Sequence, residues 1–328
     1  MIGKEALMMA GAHKIVRVCA GLKPDERVLI VTDPERYRVA SALAAAVRDV
    51  GPEPLVVVQK PNEYDGQEPH PLARDLMLSG KIDVMFMPVT RSISHSRAVH
   101  EALDEGVRVL SLPKFEEEQL YRGGIHADFD AQKPQCDEMA RRFGAARTAR
   151  LTTPAGTDLS FDLAGRPGNS HPCIAREPGK FTALINIEAN VAPIEGTTEG
   201  TLIVDGSISN FDIGPISQPI EMKVERGRVV SIRGGSQGHR LRTILEKIGD
   251  EGAYDIAQLA VGLNPECTGF NGWFSNEHGV YGSCHIGIGT SENLGGSSRA
   301  PVHYDVMMSS PTLTFDGEDV VRDGKVLI

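Results

Sequence analysis

Arg27-Val28-Leu29-Ile30-Val31-Thr32-Asp33 is a continuous aliphatic and β-branched run with a charged residue at each end. Such a run fits a strand buried on both faces, as in a parallel sheet. Upstream, residues 4–21 predict a helix, with Ala6, Leu7, Ala10, Ile15, Val18 and Cys19 at helical spacing. Downstream, residues 36–50 predict a helix ending at Gly51, and Leu55-Val56-Val57-Val58 the next strand. The alternation continues with a helix around 70–79, a strand at Ile82–Met87, a helix around 95–105 and a strand at Val107–Leu112. A helix over 130–147 closes the series. Strands alternating with helices indicate an α/β layer with a parallel sheet.

Nucleotide-binding signatures are missing from that layer. The first strand turns at Thr32-Asp33-Pro34-Glu35-Arg36, without GxGxxG, and GxxxxGK[ST] occurs nowhere. The polar segment Pro88–His95 falls where open α/β sheets bind ligands. Ser92 or Ser94 is expected to cap the following helix, with Arg91 and His95 as alternative substrate-facing groups.

The texture changes near residue 148. Residues 149–163 read as a hairpin around Pro154-Ala155-Gly156, and β signals then dominate. Strands are expected at Thr201–Gly206 and across Ile220–Ile232, the latter folded at Arg226-Gly227. Helices are expected at about 237–248 and 251–259, and the tail closes as short strands with glycine turns. The expected architecture is a parallel-sheet α/β domain (1–148) followed by a β-rich α+β domain (149–328) that carries a metal site.

The formal charge of −10 gives no global attraction for nucleic acid or an anionic membrane. No run approaches the roughly 20 apolar residues that span a bilayer. The five scattered cysteines contain no CxxC pair, which favours reduced thiols and a cytoplasmic protein. A small-molecule substrate and a homodimer are expected.

Chemistry concentrates late in the chain. His303-Tyr304-Asp305 spaces an imidazole and a carboxylate by two, so a strand would present both on one face. Cys284-His285-Ile286-Gly287-Ile288-Gly289 adds a second imidazole among glycines that leave room for a close neighbour. Glu188 lies in the apolar run Ile185–Pro193, and Gln258 in Ile256–Pro265. Asn276-Glu277-His278-Gly279 reads as a solvated turn, and His171 and His239 as surface residues. GxSxG and HExxH are both absent.

In order, Gly156–Phe161, Ile185–Pro193, Gly200–Leu202, Leu259–Pro265, Cys284–Gly289 and His303–Asp305 resemble the aminopeptidase T family of metallopeptidases. The resemblance covers most of residues 150–310. It implies a two-metal site in which Glu188 is the bridging glutamate and His285, His303 and Asp305 are further ligands. Gln258 stands where that family has its second glutamate, and Glu292 where it has a catalytic tyrosine. A second branch, the 2,5-dihydroxypyridine dioxygenases, is similar at Leu294-Gly295-Gly296, at Gly234-Gly235 and at His303-x-Asp305. That branch has a ligand histidine at the place of Gln258 and an apolar residue at the place of His285.

The leading expectation is a metal-dependent hydrolase of a small amide or peptide-like substrate. Glu188, His285, His303 and Asp305 would hold one divalent ion (Zn, Co, Mn or Fe), with a weaker second ion near Gln258. Glu292 or Glu277 would move the proton. The alternative is a non-haem Fe(II) ring-cleaving dioxygenase with His285, His303 and Asp305 as its triad and Glu188 outside it. A metal-free binding protein on the same scaffold is the third.

Overall fold

The computed structural model describes residues 3–94 and 96–328. Met1, Ile2 and His95 lie outside them, including the substrate-facing role considered for His95. The chain divides into two compact units, one running to Ala131 and including Pro172–Ile185, the other formed by Gln132–His171 and Asn186–Ile328.

In the first unit, five parallel strands lie in the order Leu55–Val58, Val28–Thr32, Val84–Val89, Arg108–Pro113, Phe181–Ala183. The opening run behaves as its composition requires: all five residues of Val28–Thr32 are buried. Leu29, Val31, Met85, Met87 and Val109 pack with Ile93 and Val99 in one apolar cluster. Helices Lys4–Lys14, Tyr37–Arg48, Pro71–Met77 and Arg97–Asp104 alternate with the strands as expected. The first helix is shorter than its periodicity suggested and continues as a π-helical turn, Ile15–Cys19.

The cap of helix Arg97–Asp104 is Ser96, whose Oγ accepts from the Val99 N–H. The serines expected in that role are engaged elsewhere. The Ser92 N–H donates to Asp65, and the Ser94 hydroxyl meets that of Ser111 at 2.6 Å.

The second unit contains two antiparallel sheets. One has eight strands and includes the expected hairpin, Thr148–Thr152 with Asp158–Asp162. It also includes Ile220–Glu225 with Arg228–Arg233. Arg226 and Gly227, with φ of 49° and 71°, form the turn between these two, a two-residue loop that needs positive φ at both positions.

The other sheet has seven strands and carries the chemistry. Its order is Gly214–Pro215, Ser207–Ile208, His303–Met308, Cys284–Gly289, Ile256–Gly262, Glu188–Val191, Asn169–His171. The helix expected at 251–259 is replaced by a 3-10 turn, Glu251–Tyr254, and the strand Ile256–Gly262. All seven residues of that strand are buried, and a run buried all round carries no period to tell helix from strand. Among the described residues no helix is long and apolar enough to cross a membrane.

Candidate functional site

Register places the polar groups on one face of the seven-stranded sheet. Opposite residues of an antiparallel pair project to the same side, and so do residues two apart. Gly262 lies opposite Glu188, Ala260 opposite both Asn190 and His285, and Gly287 opposite both Gln258 and Asp305. Glu188, Asn190, Gln258, His285, His303 and Asp305 therefore share that face. Gly287 makes the gathering possible. A Cβ there would sit 2.7 Å from the Gln258 Cβ and 2.7 Å from the His303 ring, so the missing side chain is the space the imidazole occupies.

A third imidazole joins them. His278, expected in a solvated turn, is only 6% exposed and lies on the six-residue helix Phe274–Gly279. Its Nε2 is 3.1 Å from Asp305 Oδ2, and His303 Nε2 is 3.3 Å from Asp305 Oδ1. Both rings are oriented from behind. His278 Nδ1 lies 2.7 Å from the Phe274 carbonyl and His303 Nδ1 2.8 Å from the Thr290 carbonyl. An Nδ1–H donated to a carbonyl fixes the tautomer and turns Nε2 inward, the usual support of a metal-binding histidine.

His285 is held differently. It is fully buried, its Nδ1 has no hydrogen-bond partner, and its Nε2 is 3.4 Å from the Gln258 amide nitrogen and 3.7 Å from Glu188 Oε2. Burial lowers its pKa and keeps the ring neutral.

Charge follows the same division. Burial pushes the Asp305 carboxyl up. The charge of His303 and the hydrogen bond from His278 outweigh it and hold Asp305 well below the usual carboxylate range. Burial likewise disfavours a charged His278, but the bond to Asp305 raises it to about 9. His303 is raised as well: burial opposes this, and the Asp305 charge prevails.

Glu188 is ringed by amides. Asn190 donates to its Oε1 at 3.0 Å, Gln258 to the same oxygen at 3.3 Å, and Asn186 to Oε2 at 3.3 Å. Asn186, Glu188 and Asn190 alternate along the chain, and that period of two was visible in the sequence. Gln258 faces both ways, its Oε1 lying 3.0 Å from His303 Nε2, a hydrogen bond only when that ring carries both protons.

The two carboxylates expected to move protons lie apart from this face. Glu292 is exposed and paired with Arg299 at 2.8 Å. Glu277 is buried and accepts from Ser207 Oγ and the Gly272 N–H.

The residues fit a divalent metal ion by their chemistry. Asp305 Oδ1 is buried, and its 3.3 Å contact with His303 Nε2 falls short of a hydrogen bond, a condition a cation between them would relieve. Two histidines with fixed tautomers and one carboxylate are the donor set of a triad that leaves positions open. Among the described residues no three His, Cys, Asp or Glu side chains stand ready around one centre. The donors instead close on each other at 3.1–3.3 Å.

A family model described as 2,5-dihydroxypyridine 5,6-dioxygenase matches residues 8–328, nearly the whole chain. The chain belongs to this family. A curated family relative, the 2,5-dihydroxypyridine 5,6-dioxygenase of Pseudomonas putida, is 24% identical over 263 residues, 73% of this chain and 75% of that protein. The solved 2,5-dihydroxypyridine dioxygenase structure from Pseudomonas putida superposes with a TM-score of 0.83 at 20% identity, covering 100% of this chain and 98% of the other. AmpT of Thermus thermophilus superposes less closely, with a TM-score of 0.72 at 18% identity over 99% and 100% of the two chains. The fold is thus common to both branches that the sequence resembles.

Family membership corrects the leading expectation of a hydrolase of the aminopeptidase kind. The site supplies the physical reason. A two-metal hydrolase needs a second carboxylate where Gln258 stands, and this amide spends its nitrogen on Glu188 and its oxygen on His303. Gln258→Glu is expected to reverse that character. A second buried carboxylate about 3 Å from Glu188 calls for a cation between them. Metal analysis at saturation should then give more metal per chain than in the unaltered protein, and an unchanged stoichiometry would place Gln258 outside any ligand shell.

Proposed function

We propose that this chain is a non-haem Fe(II) dioxygenase that opens the ring of a hydroxylated pyridine, with His278, His303 and Asp305 holding the iron. The observation that carries the ligand set is the pair of Nδ1 contacts to carbonyls, which aim both Nε2 atoms at one carboxylate. The family and the dioxygenase relative support the reaction class and the substrate. Bound Fe(II) would supply the one-electron chemistry that lets dioxygen react with an electron-rich ring.

The chain's own residues supply position. Three amide donors hold Glu188 as an ionised, acceptor-only carboxylate, placed to accept a hydrogen bond from a substrate hydroxyl. Gln258 keeps its Nε2 donor on that carboxylate, while its Oε1, 3.0 Å from His303 Nε2, would give up that contact when His303 binds the iron. His285, neutral and buried, packs edge-on to the His278 ring at 5.2 Å and keeps it upright. Five buried cysteines, none of them disulfide-bonded, support a reducing compartment, and we assign the enzyme to the cytoplasm.

The test is oxygen uptake. Chain loaded anaerobically with Fe(II) and mixed with 2,5-dihydroxypyridine in aerated buffer is expected to consume one O2 per substrate, with loss of the aromatic absorbance. No uptake by protein shown to contain stoichiometric iron would refute the assignment.

A further inference from the structure

Six residues make too short a helix to hold its own place, so Phe274–Gly279 must be fixed from outside if His278 is to stay in the site. Glu277 does this. It is fully buried, with Oε2 accepting from Ser207 Oγ at 2.7 Å and Oε1 from the Gly272 N–H at 2.8 Å. A carboxylate buried on two neutral donors is expensive, yet here it ties the helix to the loop just before it and to the distant segment at Ser207.

One of those pieces also holds the other ligands. Ser207 begins the strand Ser207–Ile208, which pairs with the ligand strand at Ile208 and Val306. Three residues on, Asn210 Oδ1 accepts from the Asp305 N–H at 3.2 Å, and Asn210 Nδ2 donates to the His303 carbonyl at 3.4 Å. The segment 207–210 thus grips the helix of His278 through Ser207 and the backbone of His303 and Asp305 through Asn210.

We propose that Glu277 is a positioning residue, whose clamp on Ser207 and Gly272 sets His278 against His303 and Asp305 and which takes no part in proton transfer. The inference rests on His278 being a metal ligand. Glutamine can replace the clamp. Its oxygen keeps the Gly272 N–H, its nitrogen donates to Ser207, and a serine hydroxyl accepts as readily as it donates. Alanine cannot.

The experiment is Fe(II) titration and oxygen uptake on full-length variants. Glu277→Gln should stay within about threefold of wild type in both affinity and kcat, because both hydrogen bonds survive. Glu277→Ala should lose affinity about 10–100-fold, the usual effect of removing support behind a ligand. Ser207→Ala keeps the carboxylate and decides the matter if Glu277→Ala does not fold; it should weaken iron binding in the same direction. Thermal melting of the metal-free variants separates loss of fold from loss of affinity.

Abolished turnover in Glu277→Gln with unchanged affinity would make Glu277 a proton-transfer group and overturn the inference. Wild-type affinity in Ser207→Ala and Glu277→Ala would overturn it too. His278→Ala, run alongside, separates the two levels. If it binds iron normally, the ligand set itself is wrong. If it loses iron while Glu277→Ala does not, only the clamp is wrong.

Discussion

Asp305→Asn is expected to bind Fe(II) at least 10²-fold more weakly than wild type and to show no measurable oxygen uptake at ordinary iron concentrations. The substitution keeps the shape of the side chain and removes its charge. Asp305 is buried, and an imidazole Nε2 faces each of its oxygens. Removing one partner from such a buried set costs about 3–5 kcal/mol, because the charge left behind has no water to turn to. An amide also turns a donor toward at least one of the two Nε2 atoms, where the carboxylate presented only acceptors. Fold should persist, since the neighbouring strand residues Tyr304, Val306, Met307 and Met308 are apolar and buried independently of the carboxylate. Circular dichroism with iron titration checks both halves of the expectation. Native affinity in a folded Asp305→Asn would move the metal away from this strand.

Legibility followed the physics of each segment. Val28–Thr32 could be read because burial on both faces leaves an unbroken aliphatic run. His303 and Asp305 could be paired because a strand repeats every two residues and the separation is two. Ile256–Gly262 was opaque: Ala, Leu and Gln suit a helix, and only a central place in the sheet makes this stretch a strand. Phe181–Ala183 joins the parallel sheet beside Arg108–Pro113 through three residues, too few for any period to register.

The site was legible in its strands and hidden in its helix. Glu188, Gln258, His285, His303 and Asp305 all sit on regular strands, and the face they share follows from register. His278 sits on a helix of one and a half turns between aromatic residues, where a polar quartet looks like a surface turn. Its burial is a tertiary fact, created by the clamp on Glu277 and by the carboxylate of Asp305. Both sequence readings counted His285 as the second imidazole; the structure places His278 Nε2 3.1 Å from Asp305, and what separates dioxygenase from hydrolase is the family match rather than the choice of imidazole.

The choice between those imidazoles can be measured directly. His278→Ala is expected to lose Fe(II) affinity by more than 10²-fold and oxygen uptake with it, since a ligand should count for more than the roughly 10–100-fold of a supporting residue. His285→Ala is expected to fall within that lower range. His278 directs its Nε2 at Asp305 and has its Nδ1 anchored on the Phe274 carbonyl, so its orientation survives when the Asp305 contact is exchanged for a metal bond. His285 has no such anchor behind it, and its Nε2 neighbours are the Gln258 amide and Glu188. What His285→Ala removes is the ring packed edge-on against His278, together with the filling of a buried space. Its loss should therefore appear partly as lower melting temperature of the metal-free chain, whereas His278→Ala should show its main effect in iron affinity. Parallel titrations of the two variants under anaerobic conditions decide the point. A greater loss of iron in His285→Ala than in His278→Ala would return the triad to His285 and leave His278 as its support.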